Sequence, residues 1–224
     1  MNGILLLSGG LDSCVLASSL VNQGVEVVAL SFLYGQRHTK EVEAADKISK
    51  ALKIQHHIID IWSVFTHTHS ALTDLGVKVP EGHYEDASMR LTVVPCRNLV
   101  FASIASSMAE AMGLECVFLA VHSGDHAIYP DCRPDFIEAL KHVVALSGYG
   151  KVKVCAPFIE HGMNKADIVM LGSRIGAPMG ASWSCYNGRA KHCGVCGTCV
   201  ERKEAFCNAG IEDPTKYEAH DAEH

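Results

Sequence analysis

Gly3-Ile4-Leu5-Leu6-Leu7-Ser8-Gly9-Gly10-Leu11-Asp12-Ser13 lies at the start of the chain and carries the strongest signal of its fold. Gly3 to Leu7 is an apolar run too short for a helix, Ser8-Gly9-Gly10 breaks it, and from Leu11 to Val21 the apolar residues return at helical spacing. The pattern predicts a buried strand, a tight loop and a helix. At such a junction unpaired backbone N–H groups and the positive helix end make an anion site, and glycines let the backbone approach an oxyanion closely. Taken alone, the loop is also compatible with a plain strand-to-helix turn, but its place directly after the first strand favours phosphate. Leu7, Ser8, Gly9, Gly10, Leu11, Asp12 and Ser13 are therefore the candidate nucleotide-binding residues. The Ser8 and Ser13 hydroxyls can donate to phosphate oxygens, whereas an ionised Asp12 cannot donate and is expected to cap the helix or hold Mg²⁺.

Outward from this unit, Val25 to Phe32 is a second apolar run, and Val42, Ala45, Ile48 and Leu52 mark one face of a helix ending near Lys53. Ile54 to Ile61 is a third strand candidate. His67 to Val94 has no sustained period and reads as an irregular excursion over the edge or mouth of the sheet, of the kind that can serve as a lid. Asn98 to Met112 is a deeply packed helix and Cys116 to Val121 the strand after it; Ser123 to Pro134 is a polar loop. Phe136 to Leu146 and Lys165 to Ile175 are amphipathic helices, separated by a short strand at Val152 to Ala156 that stops at Pro157. Alternating strands and helices imply an α/β fold with a doubly wound, mostly parallel sheet. Residues 1–180 are read as this domain. Residues 181–224 form a Gly- and Cys-rich segment, then a helical stretch around Val200 to Ala209, then a polar tail expected to fray.

A length of 224 residues suits one α/β domain with a small appendage. No segment is expected to supply a membrane span, and the start lacks a signal-peptide layout. A net charge of -6 argues against broad affinity for a phosphate backbone, so no stable nucleic-acid binding is expected. Of ten cysteines, Cys185, Cys193, Cys196 and Cys199 have metal-type spacing, with seven, two and two residues between them. Four thiols suffice for one closed tetrahedral zinc site, structural because no position stays open for water. Two disulfides, unligated thiols and an iron–sulfur cluster are the alternatives; a reducing cytoplasmic setting favours the metal. The His56-His57 and His67-x-His69 pairs are read as solvated or capping residues, and Cys14 as core.

Ser8 to Ser13 resembles the Ser-Gly-Gly-x-Asp-Ser signature of the ATP-pyrophosphatase (PP-loop) superfamily, with its adenine nucleotide alpha hydrolase-like fold; neither of the commoner nucleotide fingerprints is present. That resemblance implies that ATP is split between its α and β phosphates to adenylate a substrate oxygen. Tyr34-Gly35-Gln36-Arg37-His38, Val94-Pro95-Cys96-Arg97-Asn98, Tyr129-Pro130-Asp131-Cys132-Arg133 and Trp183-Ser184-Cys185-Tyr186 further resemble the 7-cyano-7-deazaguanine synthase family, over about residues 3 to 206. Two departures are Cys96, where the family more often has a small residue, and 123–128, which falls where a substrate would lie.

The resemblance implies conversion of 7-carboxy-7-deazaguanine, ammonia and ATP into 7-cyano-7-deazaguanine, a queuosine precursor, in a homodimer. A carboxylate is a poor electrophile, so adenylation makes its oxygen a leaving group and ammonia gives the amide; a second activation gives the nitrile. Both organic substrates are anionic, so positive charge must converge despite the acidic chain. Arg37, Arg97, Arg133 and Lys165 are the candidates, each in a loop or at a helix start near the carboxyl edge of the sheet. Asp131 is expected to accept from the purine-like ring and Tyr129 to stack on it, with Asp12, Lys165 and Arg97 as the catalytic set. Cys132 is the one isolated thiol in a suspected site loop. Rival readings are another PP-loop enzyme, thiolating tRNA or amidating a small molecule, and a zinc-stabilised nucleic-acid module using Arg189, Lys191, His192, Arg202 and Lys203.

Overall fold

The apolar runs of the sequence become the strands of one sheet. In the computed structural model, which describes residues 1–83, 86–122, 124 and 128–219, these are β1 (Asn2–Leu6), β2 (Glu26–Leu33), β3 (Gln55–Asp60), β4 (Cys116–Phe118) and β5 (Lys153–Cys155). All pair in parallel, in the order β3-β2-β1-β4-β5. The helices are α1 (Leu11–Asn22), α2 (Lys40–Leu52), α3 (Arg97–Met112), α4 (Pro134–Ser147), α5 (Pro157–Glu160), α6 (Lys165–Arg174) and α7 (Gly197–Ala209).

Side chains alternate across a strand, so each strand feeds two cores. Ile4, Leu30, Val117 and Val154 face α3 and α4 in one core; Leu5, Ala29 and Phe118 face α1, α2, α6 and α7 in the other. Ala102, Ala105 and Ala109 give α3 a face without bulk, and all three are fully buried. Burial of both faces makes the expected doubly wound architecture. Strand order reverses between β1 and β4, and at such a switch the loops leaving the carboxyl ends diverge and open a crevice.

Four local expectations change. The strand expected at Cys116 to Val121 ends at Phe118, after which Leu119 donates one more bond to Cys155 O. Ala87–Met112 is long and apolar enough to cross a membrane by length and composition, against the expectation that no segment would be. It is not one helix: a 3-10 turn over Ala87–Thr92 ends in extended Val93, and left-handed Cys96 (φ 56°) precedes α3, which packs on β1 and β4. The excursion over 67–94 is fastened at several points. Arg37 Nη1 donates to the carbonyls of Ala71 (2.9 Å), Asp74 (3.3 Å) and Val77 (2.6 Å), and Gly82 N donates to Val195 O. The tail is pinned through residue 218: Arg202 Nε donates to both Asp213 oxygens, Tyr217 Oη donates to Asp213, and Arg189 pairs with Glu218 at 2.7 Å.

Residues 181–219 lie against the main sheet domain. Ala205 and Phe206 of α7 enter the second core beside α6, while the four cysteines form a separate small cluster with Val79 of the excursion.

Candidate active site

The loop after β1 is held by its own hydroxyls. Ser8 Oγ lies 3.0 Å from Ser13 Oγ, Gly10 N donates to Ser8 Oγ, and Ser13 Oγ donates to Gly10 O. Gly9 has φ +87°, and a β-carbon there would overlap the Glu41 carbonyl oxygen and stand 2.8 Å from Ala45 N. Glycine therefore lets the loop lie directly on the first turn of α2. Trp183 N donates to Gly9 O from the opposite side, so the cysteine-bearing segment closes over the same loop.

Asp12 does not cap α1, whose N-terminus has no side-chain cap; it is drawn to a cation instead. Lys165 Nζ lies 2.8 Å from Asp12 Oδ2, 3.1 Å from Glu201 Oε2 and 3.3 Å from His122 Nε2. Lys165 is aimed by its own sequence: Asn164 and Asp167 form a reciprocal capping box that fixes the start of α6. Burial would raise the Asp12 carboxyl, but Lys165 and then His122 outweigh it and hold the group below the usual range. Asp12 Oδ1 is buried without a hydrogen-bond partner.

A cavity of about 230 Å³ runs from this loop across the carboxyl ends of β1, β2 and β4. At one end it is lined by Ser8, Gly10, Asp12, Ser13 and Lys165, at the other by Tyr34, Arg97, Tyr129, Cys132 and Tyr186. Arg97, first residue of α3, stands over the Tyr34 ring at 6.0 Å. Burial opposes its charge, yet Tyr34, Asp131 and Cys132 together raise its pKa above the ordinary value, so it is a fixed cation. Tyr129 Oη bonds Thr92 Oγ1 (2.6 Å) and Tyr186 Oη (3.0 Å). Burial pushes the Tyr34 phenol up to about 12.

Asp12, Lys165, Arg97 and Tyr129 thus share one cavity, and Leu7 and Leu11 join its wall. Arg37, Asp131 and Arg133 do not line it. Arg37 is spent on carbonyls of the excursion. Asp131 Oδ2 accepts from Asn98 N at 2.9 Å, capping α3 from another segment because left-handed Cys96 supplies no cap of its own. Arg133 is exposed at the start of α4. Of the segment 123–128, residues 123 and 125–127 lie outside the described residues. Three lining or neighbouring groups were missed: Glu201 of α7, His122 beyond β4, and Glu41 of α2, whose carboxyl is pushed up to about 7 by burial, against the pull of Arg97. Only Glu41, directly before the buried helix face that starts at Val42, carried a sequence signal.

The Sγ atoms of Cys185, Cys193, Cys196 and Cys199 all lie within 4.8 Å of one another and are buried. Zinc–sulfur bonds of about 2.3 Å in a tetrahedron put sulfurs about 3.8 Å apart, and Cys193 Sγ and Cys199 Sγ are 4.0 Å apart. Backbone N–H groups of Asn187 and Cys193 point at Cys185 Sγ, and that of Cys196 at Cys193 Sγ (3.3 to 3.4 Å), the second shell that thiolates need. The donor set fits a single soft cation; four irons would need the sulfurs spread over separate metal atoms. Among the described residues no other group of His, Cys, Asp and Glu converges this way, the histidine pairs included. The basic patch of the rival nucleic-acid reading loses two of its five members to burial. Arg202 is 1% exposed and His192 is buried with its Nε2 accepting from Ser184 N, which leaves Lys191, Arg189 (paired with Glu218) and Lys203 (donating to Gly194 O) at the surface.

Residues 2–210 match the family model described as queuosine biosynthesis protein QueC. A Rhizobium etli protein named 7-cyano-7-deazaguanine synthase is 50% identical over 224 residues, covering 99% of this chain and 94% of the relative. One of the same name from Caldicellulosiruptor saccharolyticus is 46% identical over 218 residues, covering 97% and 96%. Among solved structures, the NMN synthetase of Francisella tularensis matches with a TM-score of 0.52 at 18% identity, over 94% of this chain and 78% of that one. The U34-tRNA thiolase NcsA of Methanococcus maripaludis with its [4Fe-4S] cluster matches with a TM-score of 0.52 at 16% identity, over 93% and 66%. Identities this low speak to the fold alone.

Proposed function

The chain belongs to the QueC family of queuosine biosynthesis, and from that premise we propose how its cavity makes 7-cyano-7-deazaguanine from 7-carboxy-7-deazaguanine, ammonia and ATP. The observation that carries the reading is a single cavity with an anion-binding loop and Lys165 at one end and Arg97 among three tyrosines at the other. Adenylation requires a carboxylate oxygen and the α-phosphorus to meet, and this arrangement brings two anions together from opposite ends.

The triphosphate lies on the N–H groups of 9–13 at the start of α1, with Lys165 balancing the charge that develops as pyrophosphate departs. Arg97 holds the acid and, being charged at every working pH, compensates for a carboxylate or an adenylate alike. The ring stacks among Tyr34, Tyr129 and Tyr186. Because both ends belong to one cavity, the amide stays in place for the second activation. Asp12 Oδ1, buried and unpartnered, is the donor available to Mg²⁺, which when bound neutralises phosphate charge. Zinc on the four cysteines is structural: it fixes the Trp183-to-Tyr186 strip, which is both cavity wall and lid of the phosphate loop. The enzyme works as a cytoplasmic homodimer on small molecules without stable nucleic-acid binding; the net charge of -6 and the burial of Arg202 and His192 support the last point.

The test is incubation with ATP, ammonium and 7-carboxy-7-deazaguanine, with mass spectrometry for AMP, pyrophosphate, amide and nitrile. Release of ADP alone, or nitrile absent with every substrate supplied, sinks the reading.

A further inference from the structure

Glu41 is a carboxyl for which substrate binding by Lys165, Arg97 and the tyrosines has no task. Its main-chain oxygen packs against Gly9, which ties it to the phosphate loop, while its side chain lines the cavity. The groups around it come from three elements: Arg97 from α3, Tyr34 after β2 and Tyr186 between Cys185 and Cys193. Arg37 and His38 stand behind it, in a small cleft that Glu41 also lines. No salt bridge of Glu41 within 4.0 Å occurs among the described residues.

Resting on the proposed function, we infer that Glu41 is the base that takes the proton from the substrate nitrogen as each C–O bond to AMP breaks. The acid oxygen must lie in line with the α-phosphorus and the departing pyrophosphate, so the acid carbon, one bond away, lies near the loop that Glu41 borders. In the first round the ammonia lone pair forms the C–N bond, AMP leaves with the C–O electron pair, and one nitrogen proton passes to the Glu41 carboxylate. Glu41 returns that proton to water before the second round, in which the O-adenylated amide nitrogen, doubly bonded to carbon, sheds one proton to water. Its remaining proton goes to Glu41 as the electrons left on nitrogen form the third C–N bond and AMP departs. Lys165 and Arg97 cannot fill this place, since both are cations without a lone pair to offer. A half-buried carboxyl raised toward neutrality is matched to proton transfer in the working range.

The second round needs no added ammonia, so the amide with ATP isolates the step. In the wild type, nitrile formation from the amide is expected to fall as pH drops below about 7, where Glu41 takes up its proton. Tyr34 and Arg97 do not titrate there. Glu41→Gln is expected to lower nitrile formation about a hundredfold or more and to remove that acid limb, while acid-dependent ATP–pyrophosphate exchange persists. Glu41→Asp, which keeps the charge but shortens the reach, is expected to retain the limb at a reduced rate and serves if the glutamine variant fails to fold. A wild-type rate in Glu41→Gln, or an unchanged acid limb, overturns the inference. Loss of exchange together with nitrile also overturns it, since Glu41 would then be holding substrate. If the wild type makes no nitrile from either substrate, it is the proposed function that fails.

Discussion

Lys165 Nζ lies 2.8 Å from Asp12 Oδ2 although the two residues are 153 positions apart, and this contact joins the start of α6 to the phosphate loop on α1. Lys165→Met leaves Asp12 with a buried Oδ1 and an Oδ2 that has lost its nearest cation. A cost of about 3 kcal/mol is expected from stranding a largely buried charge, and pyrophosphate exchange should fall about a hundredfold or more with the charge that balances the leaving group. The sign with pH is fixed by Asp12, whose carboxyl is depressed in the fold. The pair's contribution is fully present above the ordinary carboxylate range and is lost as pH falls through the lower folded value. Urea melts of both proteins should therefore differ by a constant amount near neutrality and converge only in acid.

The two loop glycines should respond differently to alanine. At Gly9 a β-carbon meets the Glu41 carbonyl oxygen and the backbone is left-handed (φ +87°), so Gly9→Ala must push the loop off α2 and is expected to cost about 2 kcal/mol or more. At Gly10 φ is -73° and the nearest atom is Ser8 Oγ at 3.3 Å. Gly10→Ala should leave the melting temperature nearly unchanged, and any loss of activity there would report contact with the triphosphate. Equal destabilisation of the two variants would contradict the close approach seen at Gly9.

What the sequence made legible was local. A strand, a glycine turn and a helix lie within one short stretch, and four cysteines within another, so their spacing carries both predictions. The groups that meet Lys165 beside Asp12 are brought there by packing. Glu201 reaches Lys165 only because α7 lies along α6, and His122 only because the chain leaves β4 beside the loop after β1. Arg37 and Asp131 are polar residues in suggestive loops, but each finds unpaired backbone groups first: Arg37 the carbonyls of an excursion without regular structure, Asp131 the free N–H groups at the start of α3. A sequence shows the donor or acceptor but not the nearest unsatisfied backbone group.

Arg202 tests the coupling of the tail to the domain. It is 1% exposed and donates to Asp213, Ser182, Ser184 and Met179 O. Arg202→Met keeps the stem but strands the Asp213 carboxylate, at a cost of about 3 to 5 kcal/mol. Because burial would raise the Asp213 carboxyl and Arg202 overcomes this to depress it, the difference from the wild type should persist above the ordinary carboxylate range and narrow as acid protonates the group. Limited proteolysis should cut first within 211–217 in the variant and not in the wild type. An unchanged cleavage pattern would show that the tail is held by other contacts.

The cysteine cluster should act on catalysis only through the wall it holds. Cys196→Ser removes one of four converging thiolates, so atomic spectroscopy should find about one zinc per wild-type chain and a marked loss in the variant. Tyr186 lines the cavity one residue after Cys185, Trp183 N holds Gly9 O, and Thr198 Oγ1 ties Ser184 O to the start of α7 at 2.7 Å. Without the metal these contacts lose their anchor, and the midpoint of thermal unfolding should fall together with activity. Chelation of the wild type should reproduce both losses, and restored zinc should reverse them in the chelated wild type while leaving the serine variant impaired. Full turnover by a zinc-free chain would show that the strip from Trp183 to Tyr186 keeps its place by packing alone.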